Sequence, residues 1–154
     1  MRLEIGCGAD KSYGFNPRIS GEDVVYADVE KPVKKIERFV KCDAEKLPFR
    51  SSCFNEVYAS HLIEHLQNPF EFLQEVNRVL SSNGRVWLWT PNFTSPNARK
   101  DASHKHVFNY FSLKDTLRAA GFKPIMFLPI IPYKILKPLA IVLTNELYAC
   151  GKKE

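Results

Sequence analysis

The chain has 154 residues, of which 45% are hydrophobic and 25% charged. These proportions fit a globular protein of about one domain and exclude a disordered tail, a collagen-like chain and a coiled coil. Lys and Arg number 22 against 17 Asp and Glu, a net charge of +5, and the basic residues are scattered, so an anionic partner is permitted but not required.

In chain order, Leu3–Ile5 reads as a short apolar strand ending in Gly6-Cys7-Gly8. Val24–Ala27 is a second strand closed by Asp28, Phe39–Cys42 a third, Phe54–Ala59 a fourth, and Val86–Trp89 a fifth stopped by Pro91. Asn68 is placed to cap a helix, with Pro69 at its first position and Glu71 completing a capping box. Phe72, Leu73, Val76, Val79 and Leu80 then give one apolar face, and Asn83-Gly84 is expected to end the helix in a left-handed residue. A second helix is expected to be capped by Ser112, with Asp115 three residues on, Leu113, Leu117 and Ala120 inward, and Gly121 at its end. Ile125–Leu143 is almost wholly apolar, but Pro129, Pro132, Pro138, Lys134 and Lys137 argue against a membrane-spanning helix.

The four cysteines, Cys7, Cys42, Cys53 and Cys150, form no C-x-x-C pair and fit no zinc spacing; each lies in or beside an apolar run. The first residues carry no signal-peptide core, so a reducing cytoplasm is the expected location.

Strands alternating with helices indicate an α/β sheet of mostly parallel strands, in which ligands sit beyond the carboxyl ends of the strands. The residues at those ends are therefore the ones to weigh. Gly6 and Gly8 permit a tight turn and a close approach of ligand to backbone. A full dinucleotide fingerprint needs a further glycine where Lys11 stands, which counts against nicotinamide or flavin. Asp28 is suited to accept from ribose hydroxyls, although a solvated loop acid has the same sequence appearance. Asp43 is suited to accept from the exocyclic amine of adenine, or else to cap Ala44-Glu45-Lys46. Together, a glycine turn and two acids ending three successive strands suit an adenine nucleoside.

Leu3-Glu4-Ile5-Gly6-Cys7-Gly8, Asp43-Ala44-Glu45-Lys46-Leu47-Pro48-Phe49, Ser60-His61-Leu62-Ile63-Glu64-His65-Leu66, Asn77-Arg78-Val79-Leu80, Thr90-Pro91-Asn92 and Ala119-Ala120-Gly121-Phe122 follow one another along the chain. In that order they resemble the class I S-adenosylmethionine-dependent methyltransferases, and within them the small type 11-like domains. The resemblance implies a Rossmann-like, doubly wound, mostly parallel seven-stranded sheet with a reversed C-terminal hairpin, for which Lys123–Leu128 and Leu147–Cys150 are the candidates. It implies one domain over residues 1–154, with an apolar insertion around 129–144 that lids an acceptor pocket, forms a homodimer face, touches a membrane surface or simply packs in the core. It implies S-adenosylmethionine as cofactor, with Glu4, Gly6, Cys7, Gly8, Asp28, Asp43, Ala44 and Ser60 around it. Glu4 orients the glycine turn or the cofactor's amino group, while Ser60 and His61 line the path to the methyl acceptor. One departure stands out: Gly14, Pro17 and Gly21 interrupt the segment where relatives place a regular first helix, leaving it shortened, with Lys11 or Arg18 as the charge for the cofactor carboxylate.

His61-Leu62-Ile63-Glu64-His65 also fits the H-x-x-E-H pattern of inverted zinc peptidases, a chemistry that needs the motif within a helix. Here it directly follows a strand, so no metal is expected, and Glu64 and His65 are read as fixing the loop and the helix entry. His104-Lys105-His106 lies after the fifth strand, and His104 is the candidate base there, with His61 the second candidate catalytic residue. The expected reaction is in-line displacement at a sulfonium methyl. Small molecules, lipids or glycans are favoured as the unidentified acceptor. No basic–aromatic platform for nucleic acid is present. The alternatives are a catalytically silent S-adenosylmethionine-binding module acting through a partner, and the zinc hydrolase.

Overall fold

The computed structural model describes residues 1–8, 21–32, 35–127 and 144–154. Seven strands form one sheet: β1 (Arg2–Ile5), β2 (Val24–Asp28), β3 (Phe39–Lys41), β4 (Phe54–Ser60), β5 (Leu80–Pro91), β6 (Phe122–Phe127) and β7 (Glu146–Lys153). Their order is β3-β2-β1-β4-β5-β7-β6. The first five run parallel, whereas β7 is antiparallel to both β5 and β6. The expected doubly wound sheet with a reversed hairpin is thus present, β7 entering between β5 and β6. Among the described residues three α-helices accompany it: α1 (Pro69–Val79), α2 (Pro96–Lys100) and α3 (Tyr110–Ala119).

Side chains alternate between the two faces of a strand, so residues in register share a face. Leu3, Val57 and Val86 pair in one row and Ile5, Ala59 and Leu88 in the next. These join Phe72, Leu73, Val76, Leu113 and Leu117 of α1 and α3 in one buried core. The opposite face carries Tyr58 stacked on Trp87 and Trp89, with Phe127 stacked on Trp87 and Tyr148 edge-on to Trp89. No helix among the described residues is long and apolar enough to cross a membrane.

Local details differ from expectation in three places. Helix α1 stops at Val79, not at Asn83-Gly84, because Leu80 is already extended and fully buried opposite Phe54. The Lys153 ammonium donates to the carbonyls of Asn77 and Leu80 at 2.6 and 2.7 Å, closing the helix end. Asn83 does adopt a left-handed φ of 64°, but within the irregular stretch where β5 leaves and rejoins β4. Second, Asn68 caps α1 by accepting from the amides of Phe70 and Glu71, yet its own amide donates to Glu45 and not to Glu71. Third, α3 is capped by Asn109; Ser112 is the reciprocal member of that capping box, its hydroxyl accepting from the Asn109 amide at 2.9 Å.

The segment expected to hold the shortened first helix, with Lys11 and Arg18, lies outside the described residues, as does all but Thr144 of the apolar insertion expected around 129–144.

Candidate functional site

The parallel register brings the ends of β1, β2 and β3 side by side. Ile5 pairs with Ala27, and Asp28 with Lys41. Adjacent strands lie about 4.8 Å apart, so the three ends span roughly 10 Å. At the first end the chain turns sharply: Gly6 and Gly8 have φ of 73° and 74°. The Gly6 amide donates to Ala27 O at 2.9 Å, which keeps the turn against β2. A Cβ on Gly6 would meet Leu62 at 3.1 Å, so the glycine is required by both conformation and packing. Cys7 is buried between the two glycines.

Asp28 closes the second end. Its Oδ2 accepts from the Gly8 amide at 2.8 Å and its Oδ1 from the Glu30 amide at 3.0 Å. It therefore fixes the glycine turn, and a carboxylate has lone pairs left for further donors. Asp43, exposed at the third end, accepts from the Glu45 amide at 2.9 Å. That is the local capping role weighed for it, and it holds the carboxylate at the rim. Cys42 lies between the two acids: burial first, then the charges of Asp43 and Asp28, push its thiol up to about 11. At pH 8 about one thiol in a thousand is then ionised, so alkylation of Cys42 by iodoacetamide is expected to be slow and to rise about tenfold per pH unit up to about pH 11. Peptide mass spectrometry over a pH series reads this directly, and alkylation of Cys42 at the rate of an ordinary cysteine would contradict it.

The loop after β3 is held by contacts that the sequence did not announce. Glu75 accepts from the Leu47 amide at 2.8 Å, and Arg78 donates to Leu47 O at 2.9 Å and Phe49 O at 2.8 Å while paired with Glu75. Leu47 and Ala44 are buried, and Phe49 packs edge-on against Phe54. The signal for this clamp was the i,i+3 spacing of Glu75 and Arg78 on α1, which reads equally well as a surface ion pair.

The ends of β4 and β5 carry a second group. Glu4, 3% exposed, lies on β1 in register with Tyr58 of β4, whose end is Ser60, itself buried. His61 follows with φ of 49°, a left-handed conformation in which a non-glycine residue is strained, and its amide donates to Trp89 O. Its side chain is 41% exposed and lies between two carboxylates: Nδ1 is 3.4 Å from Glu64 Oε1 and Nε2 is 3.7 Å from Glu146 Oε2. Glu64, then Glu146, raise the imidazole above its ordinary value against the effect of burial. Burial in turn raises Glu146, with His61 opposing and Glu64 reinforcing. Glu146, the first residue of β7, was not singled out from sequence because it follows the apolar segment with no motif around it.

Glu64 is 1% exposed and accepts from the Thr90 hydroxyl at 3.0 Å, which ties the turn after β4 to the end of β5. The H-x-x-E-H stretch includes a single 3-10 turn, Ile63–His65, and no α-helix. His61 and His65 have different neighbours: His65 Nδ1 lies 3.2 Å from Ser103 O and its ring packs on that of His104 at 4.7 Å. The helix-borne arrangement that inverted zinc peptidases need is absent from this stretch. The loop bearing His104 docks on the same turn, the amides of Lys105 and His106 both donating to Glu64 O. His104 is turned inward, its side chain 7% exposed, with Nδ1 3.2 Å from Ala98 O.

A methyltransferase-domain family profile matches residues 3–88, from β1 into β5. No curated protein matches the sequence. Among solved structures, the chain is similar to an S-adenosylmethionine-dependent methyltransferase from Archaeoglobus fulgidus, with 22% identity, a TM-score of 0.68, and coverage of 99% of this chain and 85% of that one. It is similar to a methyltransferase from Haloferax volcanii in complex with the Trm112 methyltransferase activator, with 16% identity, a TM-score of 0.72, and coverage of 98% and 80%. It is also similar to an S-adenosylmethionine-dependent methyltransferase from Mesorhizobium loti, with 14% identity, a TM-score of 0.68, and coverage of 99% and 90%. At these identities the structures speak for a shared fold, while the profile covers more than half of the chain; with the glycine turn at the head of a β3-β2-β1-β4-β5-β7-β6 sheet, the chain belongs to the class I S-adenosylmethionine-dependent methyltransferase family.

Proposed function

We propose that residues 1–154 act as one catalytic domain that binds S-adenosylmethionine across the ends of β1, β2 and β3 and transfers its methyl group to a small-molecule, lipid or glycan acceptor. The observation that carries this reading is the juxtaposition of the glycine turn with Asp28 and Asp43 at three adjacent strand ends. The residues fit the group. Gly6 and Gly8, both at left-handed φ, allow the methionyl part a close approach to the backbone, and Asp28 and Asp43 provide acceptors suited to ribose hydroxyls and an adenine amine. Glu4, Cys7, Ala44 and Ser60 complete the surroundings in this reading.

The cofactor supplies an electrophilic methyl group on a sulfonium. What the chain supplies is position: holding two reactants in line contributes ~7–11 kcal/mol towards a barrier, so a dedicated base is optional. His61 and His104 are assigned to the acceptor side, beyond β4 and β5, and His61 is the more exposed of the two.

Calorimetry with S-adenosylmethionine tests the reading. Asp28→Ala and Asp43→Ala are each expected to weaken binding by ~1–3 kcal/mol, the cost of losing a charged acceptor. Because Asp28 also anchors the Gly8 and Glu30 amides, thermal melting is followed alongside. Unchanged affinity in both variants would remove the site assignment. Transfer of labelled methyl from the cofactor into cell extract, sorted into lipid, glycan, small-molecule and protein fractions, identifies the acceptor class and separates an enzyme from a silent binding module.

A further inference from the structure

We infer that Glu64, His65 and His104 form a binding site for a divalent transition-metal cation. One ligand-capable atom from each of the three lies within 4.8 Å of those of the other two. Two imidazoles and one carboxylate are a donor set that suits zinc, cobalt, iron or manganese better than magnesium or calcium.

The tautomers point the same way. His65 has Nδ1 at 3.2 Å from Ser103 O, and His104 has Nδ1 at 3.2 Å from Ala98 O. A backbone carbonyl accepts only from N–H, so each contact is a hydrogen bond in the tautomer with the proton on Nδ1, which leaves Nε2 its lone pair. This is the outer arrangement that orients metal-ligating histidines. The two rings stand edge-on at 4.7 Å, a close approach that two imidazolium ions would disfavour and a shared cation would favour.

Glu64 supplies an independent observation. It is 1% exposed, and while Oε2 accepts from Thr90, the buried Oε1 receives no formed hydrogen bond; His61 Nδ1 at 3.4 Å is an ion-pair neighbour only. A buried carboxylate oxygen without a formed hydrogen bond is costly, and a bound cation is one way to offset that cost. Asp101 Oδ2, 3.7 Å from His104 Nε2, is an exposed carboxylate beside the cluster but not part of it. Zinc–ligand distances of about 2.0–2.2 Å place donors roughly 3.3 Å apart, so binding requires contraction of the cluster by about an ångström or more. The loop carrying His104 already docks on the turn carrying Glu64 and His65, so a cation would cross-link two segments whose contact exists. Any part the cation plays toward the acceptor rests on the proposed function; its binding does not.

The test titrates the metal-free protein with Co²⁺, followed by its visible absorption and by calorimetry, and then with Zn²⁺ in competition. The wild-type chain is expected to take up one ion with micromolar or tighter affinity. His65→Ala and His104→Ala are each expected to weaken it at least tenfold, whereas His106→Ala leaves it unchanged. In the wild-type protein, Zn²⁺ is expected to move the ring ¹⁵N resonances of His65 and His104 and not those of His106, a readout that needs no variant to fold. Absence of saturable uptake, or wild-type affinity in the His65→Ala/His104→Ala double variant, would overturn the site. S-adenosylmethionine binding is measured on the same samples: metal uptake without cofactor binding sinks the proposed function alone, and cofactor binding without metal uptake sinks this inference alone.

Discussion

Replacing Phe72 with Ala is expected to lower the unfolding free energy by ~3–5 kcal/mol, the range for deleting a buried aromatic ring from a packed core. Phe72 is 0% exposed on the inner face of α1, within the cluster that joins α1 and α3 to the sheet. Domains of this size are stable by about 5–15 kcal/mol, so the variant loses a large part of the margin. Urea unfolding reads the effect as a shifted midpoint at unchanged slope. Phe70→Ala is the matched comparison: Phe70 lies on the same helix but is 38% exposed, and its effect is expected to stay near ~0.5 kcal/mol. Equal losses at the two positions would contradict the assignment of the helix face.

Gly6→Ala is expected to have the largest effect on cofactor binding. The left-handed region costs an L-residue ~1–2 kcal/mol. The φ of 73° at Gly6 puts the new methyl in that region, and Leu62 stands 3.1 Å from where its carbon would lie. Relief requires either the turn or Leu62 to move. Moving the turn disturbs the Gly6 amide on Ala27 O and, one step on, the Gly8 amide on Asp28. A loss of ~2–3 kcal/mol in S-adenosylmethionine affinity is expected, larger than the accompanying loss in stability, because binding depends on the turn while the sheet depends on it only at one end. Calorimetry and thermal melting on one sample compare the two. Wild-type affinity would show that the turn does not contact the ligand.

Much of the architecture was legible. The strand runs ending at Ile5, Ala27, Cys42, Ala59 and Trp89 correspond to β1 to β5 with shifts at their ends, since short apolar runs between turn residues leave few other options. The cap at Asn68 was readable because it is local. Its missing reciprocal partner was not: Glu45 reaches it from a distant loop and displaces the neighbour that spacing alone would select. The end of α1 was misplaced for the same kind of reason. Asn83-Gly84 is a proper stop signal, but burial of Leu80 opposite Phe54 pulls the chain into the sheet before the signal is reached.

What the sequence by itself determined is the order of elements, the two glycines that must turn at the end of β1, and the acids that end β2 and β3, because these follow from local backbone preference and from the two-residue and 3.6-residue periods. Only the tertiary structure decided that β7 enters between β5 and β6, so that Glu146 comes to face His61, and that the loop after α2 folds onto the turn after β4, so that His104 meets His65 and Glu64. Those meetings join residues far apart along the chain. Their energy comes from sheet pairing and burial over the whole domain, and no local preference encodes which distant partner will be there.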